Sequence, residues 1–305
     1  MHEPGPAVID RRQLLVAGGA FGLSACVAPG MAAKPPGPER LAAIEHADGG
    51  RLGVFVLDTG SGRSFGWRQD ERFCHCSTFK LSLAALVLSE ADAERLDLAE
   101  AIPYSRADLM GNSPVTEAGV ARGALSVVTL TEAAQVTSDN AAANLLLRRL
   151  GGPSALTAFW RRIGDRVSRL DSYEPGLNVI PPGTEENSTT PRAMAGAMRR
   201  IVLGEVLAPA SRARLRGWME QTRTGASRIR AGLPAAWGVL DKTGTGMRPG
   251  AGNKVNDIAV LMPPGRAPIV VTGYYENPRY SEAVRSADEA VLKAVGGWVA
   301  EWAAA

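Results

Sequence analysis

The chain has 305 residues, 45% of them hydrophobic, 6% aromatic and 21% charged, with 34 basic against 31 acidic side chains and a net charge of +3. That apolar content sustains a packed core and excludes a disordered or fibrous chain. Lysine is confined to Lys34, Lys80, Lys242, Lys254 and Lys293, so no basic block is present to track a nucleic acid backbone.

Residues 1–33 read as an export signal. Arg11-Arg12 precede an apolar stretch, Leu14 to Ala25, that is too short to span a bilayer as a mature helix. Asp10 to Leu15 resembles a twin-arginine signal. Leu23-Ser24-Ala25-Cys26 also resembles a lipobox, so a lipid anchor at Cys26, ordinary cleavage near Ala32-Ala33 and an uncleaved anchor helix stay open. The mature chain, with no transmembrane segment, is expected to work as a monomer in the periplasm or elsewhere outside the cytoplasm.

After the Pro/Gly-rich Lys34 to Pro38, Glu39 to Ala47 reads as a helix stopped by Gly49-Gly50. Leu52 to Leu57 and Arg63 to Trp67 read as a hairpin around Asp58-Thr59-Gly60-Ser61-Gly62. From Ser77 to about Met219 the apolar spacing turns helical: Phe79 to Leu88, Thr131 to Gln135, Asn140 to Leu150, Ser154 to Ile163 and Pro191 to Leu203. Between the last two lies Asp171 to Thr190, a proline-rich loop of a length that compact domains use mainly for function. Strands resume at Trp237 to Leu240, Asn256 to Met262 and Ile269 to Tyr275. A closing helix, Ser281 to Ala304, carries an apolar stripe through Ala287, Ala290, Val291, Ala294, Trp298 and Trp302. The order predicts an α/β (α+β) fold: an antiparallel sheet of about five strands flanked by N- and C-terminal helices, with an inserted all-helical domain. The expected boundaries are 34–72 and 220–305 for the discontinuous α/β domain and 73–219 for the insert.

Three histidines and three cysteines, with no H-E-x-x-H and no C-x-x-C, leave too few spaced ligands for zinc; an enzyme of this kind is expected to need no metal or cofactor. His75 is the one histidine placed well for a site. Cys74 and Cys76, two apart on an extended approach, would have Cα atoms about 6.5 Å or more apart, near the limit for a bridge, and are expected to stay thiols.

Ser77-Thr78-Phe79-Lys80 puts a hydroxyl and an amine on one face at the start of a helix, where the amine can take the hydroxyl proton. Ser138-Asp139-Asn140 opens another helix; helix capping explains it, and so does a second hydroxyl that relays a proton. Lys242-Thr243-Gly244-Thr245 ends the strand begun at Trp237. There the glycine admits a close chain neighbour, and the lysine and hydroxyls suit a carboxylate; an edge-strand turn with a solvated lysine is the alternative.

S-x-x-K, S-D-N and K-T-G, in this order, are the known signature of class A β-lactamases and penicillin-binding proteins. The chain resembles a class A serine β-lactamase over essentially its whole mature length. In the long loop, Glu174 to Asn178 resembles that family's omega-loop E-x-x-L-N, whose glutamate and asparagine hold the hydrolytic water; penicillin-binding proteins lack it. The resemblance implies hydrolysis of penicillins and cephalosporins, small-molecule β-lactam substrates, through an acyl-enzyme on Ser77. It assigns Lys80 or Glu174 as acylation base, Glu174 with Asn178 to deacylation and Ser138 to the proton relay. Asn140 would bind the acylamide side chain, and Lys242, Thr243, Gly244, Thr245 and Arg228 would form the substrate-carboxylate side. The backbone N–H groups of Ser77 and Thr245 would make the oxyanion hole.

The sequence also departs from the family. Cys76 is similar to the cysteine that class A carbapenemases bridge to one just after K-T-G-T, but that place is Gly246 here. The ion pair that braces many omega loops is replaced at Ser172 and Asn187, which predicts a looser loop with room for bulky oxyimino-cephalosporins, and the aromatic residue expected before Ser113 is Asn112. Two rival functions keep parts of the pattern: a D-alanyl-D-alanine peptidase or penicillin-binding protein, and a non-hydrolysing β-lactam sensor.

Overall fold

Alternation along the strands explains how the molecule is layered. In β1 (Arg51–Asp58), Leu52, Val54 and Val56 face one way and Phe55 the other. The first set joins a core with helices from the two ends of the chain; Phe55 joins a larger core under the middle helices. The computed structural model describes residues 1, 2, 5 and 36–305. The export-signal reading, including Arg11-Arg12 and Cys26, lies outside the described residues.

The first helix is α1 (Pro38–His46), opened by proline in its first turn. β1 then pairs with β2 (Ser64–Trp67) across the expected hairpin. β3 (Phe73–Cys74) leads into a 3-10 turn, Cys76–Thr78, that runs directly into α2 (Phe79–Asp92). β4 (Ala101–Pro103), α3 (Pro114–Gly119), β5 (Ala124–Ser126), α4 (Val127–Val136), α5 (Asn140–Arg149) and α6 (Pro153–Arg162) follow. The 171–190 loop holds a 3-10 turn at Gly176–Asn178 and ends in β6 (Ser188–Thr189), which pairs with β3. Then come α7 (Pro191–Met198) and α8 (Pro209–Glu220). The chain closes with β7 (Gly238–Arg248), β8 (Gly252–Met262), β9 (Ile269–Asn277) and α9 (Ser286–Ala304).

The five-stranded sheet has the order β2-β1-β9-β8-β7 and is antiparallel throughout. β1 therefore pairs with a strand more than two hundred residues later, Leu52 opposite Tyr275. One face packs on α1 and α9 through Leu41, Trp298 and Trp302; the other packs on the helices between β2 and β7 through Phe73, Phe79 and Tyr274. Burying each such large apolar side chain contributes about 1.5–3 kcal/mol.

Four expectations need correction. The strand begun near Trp237 does not stop at Lys242 but continues through it to Arg248, because β8 supplies a partner for every residue, including the glycines that single-strand propensity disfavours. α9 starts at Ser286, not Ser281, since Ser281 is held in a turn by Asn253. Its buried face carries Val291, Leu292, Val295, Trp298, Val299 and Trp302, while Ala287, Ala290 and Ala294 of the expected stripe are exposed; the helix turns its larger side chains inward. The helix from Pro191 ends at Met198 and passes into a wider π turn, Arg199–Leu203.

Candidate active site

The nucleophile candidate stands where a strand, a tight turn and a helix meet. Cys76, just before Ser77, takes φ 43°, a left-handed conformation that costs a non-glycine residue about 1–3 kcal/mol and that surrounding packing must hold. The turn puts Ser77 and Lys80 one turn apart at the head of α2, where the helix field favours a developing anion. Lys80 Nζ lies 2.9 Å from Ser77 Oγ. Ser77 Oγ in turn lies within 3.3 Å of Glu174 Oε1, and Lys80 Nζ is 3.3 Å from that same oxygen.

The 171–190 loop delivers Glu174 through two sets of contacts. Asn178 Nδ2 donates to Glu174 Oε2 at 2.7 Å, and Asn144 on α5 clasps the Glu174 backbone with bonds of 2.9 Å to both its N–H and its carbonyl. The Glu174–Pro175 peptide is cis. The ends of the loop are not left loose by the missing ion pair. Asn187 Oδ1 accepts from the N–H groups of Asp171 and Ser172, and Asn187 N–H donates to Asp171. Hydrogen bonds of Asn187 with the loop backbone and with the Asp171 carboxylate do the bracing.

Ser138-Asp139-Asn140 serves both of its expected purposes. Asp139 caps α5, accepting from Ala142 N–H, and its other oxygen accepts from Val115 and Thr116 N–H of α3. Ser138, at φ 59°, is turned into the site, where its carbonyl accepts from Lys80 and from Asn112 Nδ2. Asn140 Oδ1 accepts from Lys80 as well. Asn112 thus stands beside Ser138 as a polar brace.

Across the cleft, β7 is the free edge of the sheet. Gly244 meets the nucleophile turn so closely that a Cβ there would lie 2.8 Å from the His75 carbonyl oxygen and 3.1 Å from Thr78 N. Only glycine allows that approach. Lys242 Nζ donates to Ser138 Oγ at 3.1 Å and to the Thr243 carbonyl at 2.9 Å. Arg228, 3% exposed, donates to Thr245 Oγ1 at 2.7 Å and to the carbonyls of Gly244 and Asn256. Thr243 Oγ1 hydrogen-bonds Thr224 Oγ1.

Both lysines are fully buried, and burial pushes their amines below the ordinary lysine value. At Lys80 the Glu174 carboxylate opposes the shift; at Lys242 the shift goes well below 10.5, with Lys80's own charge adding to it. Lowering an amine's pKa makes its unprotonated form more available as a proton acceptor, and the Ser77 hydroxyl 2.9 Å from Lys80 is in reach of it.

The structure brings together Ser77, Lys80, Ser138, Asn140, Glu174, Asn178, Lys242, Thr243, Gly244, Thr245 and Arg228. It does not bring His75. That ring is fully buried, stacked flat on Trp160 with centroids 4.9 Å apart, and burial lowers its pKa to about 4. His75 belongs to the core, packed on the Trp160 ring of α6. Cys74 and Cys76 are buried free thiols, and a Cβ at Gly246 would lie 2.9 Å from Cys76 Sγ. Among the described residues no group of three His, Cys, Asp or Glu side chains is placed to hold a metal ion. The sequence reading missed Asn144, although it follows Asn140 by one helical turn on the same face. Thr224 and Glu289 were also missed, having no local signal.

A family model described as the beta-lactamase enzyme family matches residues 38–299. The chain is 46% identical over 273 residues to beta-lactamase L2 of Stenotrophomonas maltophilia, covering 89% of this chain and 88% of that one. It is 42% identical over 270 residues to the carbapenem-hydrolyzing beta-lactamase KPC of Klebsiella oxytoca, covering 87% and 89%. Among solved structures, a beta lactamase from Burkholderia vietnamiensis matches with TM-score 0.82 at 47% identity, covering 87% of this chain and 95% of that one. An ancestral class A beta-lactamase matches with TM-score 0.80 at 53% identity, covering 86% and 98%.

Proposed function

Given that the chain belongs to the class A β-lactamase family and hydrolyses the β-lactam amide bond, thereby conferring β-lactam resistance, we propose that Ser77 is the nucleophile and Glu174 the group that frees it. The observation that carries this assignment is the position of Ser77 Oγ, 2.9 Å from Lys80 Nζ and 3.3 Å from Glu174 Oε1, with Asn178 holding the other carboxylate oxygen. Ser77 attacks the lactam carbonyl while Lys80 or Glu174 takes its proton. The oxyanion forms against the N–H groups of Ser77 and Thr245. Ser138, bridged to Lys80 through its carbonyl and to Lys242 through its hydroxyl, hands a proton to the departing ring nitrogen. Glu174 then draws a proton from water, and the hydroxide splits the ester.

On the strand side, Lys242, Thr243, Thr245 and Arg228 take the substrate carboxylate, Gly244 keeps β7 against the nucleophile turn, and Asn140 takes the acylamide side chain. The 171–190 segment is the omega loop of this reading, and 73–219 is a helical insert in the α/β domain of 34–72 and 220–305. Penicillins and cephalosporins are its substrates. The mature monomer acts outside the cytoplasm after export by the twin-arginine-like signal, with Cys26 lipidation and cleavage near Ala32-Ala33 as alternatives. No helix among the described residues is long and apolar enough to cross a membrane.

The test counts benzylpenicillin molecules consumed per protein. Hundreds of turnovers are expected, whereas a burst of one that then stops would assign the protein to the peptidases or sensors. Glu174→Gln should acylate and stay acylated, slowing turnover by about 10² to 10⁴, with the adduct visible as added mass. Unimpaired turnover by that variant would remove Glu174 from the mechanism.

A further inference from the structure

Something must aim Arg228, whose guanidinium reaches two carbonyls and Thr245 from a turn outside the sheet. The two residues that follow it are each gripped by a carboxylate. Ile229 N–H donates to Asp257 Oδ2 at 3.1 Å, and Arg230 ion-pairs with Asp241 Oδ1. Asp257 on β8 lies directly opposite Thr243, and Asp241 precedes Thr243 by two residues on β7. The two carboxyl groups are therefore diagonal neighbours on one face of the sheet.

Both are fully buried, and each keeps one oxygen with no donor, Asp241 Oδ2 and Asp257 Oδ1. Backbone closes on them, since a Cβ at Gly225 would come within 2.0 Å of Asp241 Oδ2. The charged groups around them are Arg228 and Arg230 from the turn, Lys242 from β7 and, on the far side of Arg228, Glu289 from α9. Two like charges facing each other across one buried sheet face, each with an oxygen that no donor reaches, are costly to keep ionised together. Burial pushes both carboxyls up, Asp257 the further, with Arg230 opposing the shift at Asp241.

We propose that Asp241 and Asp257 carry one proton between them, resident on Asp257, and act as a single positioning unit for Arg228. A proton on Asp257 Oδ1 shared with Asp241 Oδ2 would give both unpartnered oxygens a partner. One negative charge remains, facing Arg230. The unit fixes the backbone on the C-terminal side of Arg228 and so the direction of its guanidinium. The inference rests on the reading that Arg228 takes the substrate carboxylate.

Steady-state kinetics of the mature chain with benzylpenicillin at pH 7 test it. Asp257→Asn keeps an acceptor for Ile229 and a donor toward Asp241, so KM should stay within about twofold of wild type. Asp241→Asn and Asp257→Ala should each raise KM about tenfold, the scale of a lost hydrogen bond to a charged group, with kcat changed less. Asp257→Ala should raise it no further in an Arg228→Ala background. Urea unfolding gives a second readout that needs no catalysis. A raised folded-state pKa makes wild-type stability fall as pH climbs through it, and Asp257→Asn should lack that fall. Asp257→Asn impaired as badly as Asp257→Ala would overturn the shared proton, and additive effects of Asp257→Ala and Arg228→Ala would overturn the positioning role. If Arg228→Ala itself leaves KM unchanged, the carboxylate reading is what fails.

Discussion

The two sides of the cleft each bury a lysine completely, yet they treat its charge in opposite ways. On the helical side Lys80 is surrounded by Ser77 Oγ, the Ser138 carbonyl, Asn140 Oδ1 and the Glu174 carboxylate. On the strand side Lys242 has Ser138 Oγ and the Thr243 carbonyl, both neutral, and no carboxylate within ion-pair distance among the described residues. A lysine whose counter-ion is resident can pass a proton back and forth without changing the net charge of the site. A lysine held among neutral acceptors lacks a full counter-charge, which an anionic substrate brings. The helical side is built for proton traffic and the strand side for attraction, and the two meet at Ser138.

The contrast can be broken by removing each lysine. Lys80→Ala should slow acylation by about 10² to 10⁴, read as the rate of adduct formation in a single turnover. A third buried base, His75, extends the series, because neither of its ring nitrogens has a partner. Its pKa falls from 6.5 to about 4, so the unfolded chain binds a proton that the folded one refuses. The stability it contributes is complete above pH 6.5 and is lost as pH falls toward 4, by about 3 kcal/mol at about 1.4 kcal/mol per pH unit. His75→Leu should therefore flatten the acid limb of the stability curve in urea unfolding at a series of pH values. Lys242→Ala should act mainly on KM, raising it by the equivalent of about 1.5–3 kcal/mol with kcat changed less. In wild type, KM should begin to climb below pH 10.5 as Lys242 loses its charge, and Lys242→Arg should delay that climb. The smallest effect is expected at Asn187, which braces the loop carrying Glu174. Asn187→Ala should cost about 1 kcal/mol of stability and slow deacylation more than acylation, measured by accumulation of the adduct.

Much of the cleft could be read before the structure because its chemistry sits in short motifs at element starts. Ser77 with Lys80 and Ser138 with Asn140 each span one helical turn or less, so local geometry already joins them. Gly244 was legible for the close approach it permits. What joins across the chain was not. Nothing near Arg228 names Asp241, Asp257 or Glu289, and nothing near Glu174 names Asn144, since those pairings exist only once segments distant in the chain have packed together. Lys242 was placed at a strand end because lysine, threonine and glycine are poor strand signals, whereas β8 extends pairing through all of them. His75 was overvalued for a similar reason: its residue type suggested chemistry, and only the packing shows the ring turned onto Trp160.

The order of the strands has a consequence for how the protein comes into being. β1 and β2 leave the ribosome early, but β1 lies next to β9 in the sheet, and the lysine edge of the cleft arrives on β7. A fragment that ends before β7 lacks the strand side of the cleft altogether. Because such long-range pairing must precede any function, folding is expected to be slow for a chain of this size. A molecule interrupted during synthesis or clipped between α8 and β7 has a nucleophile but no grip. Catalysis is in this sense a report that the whole chain has been read.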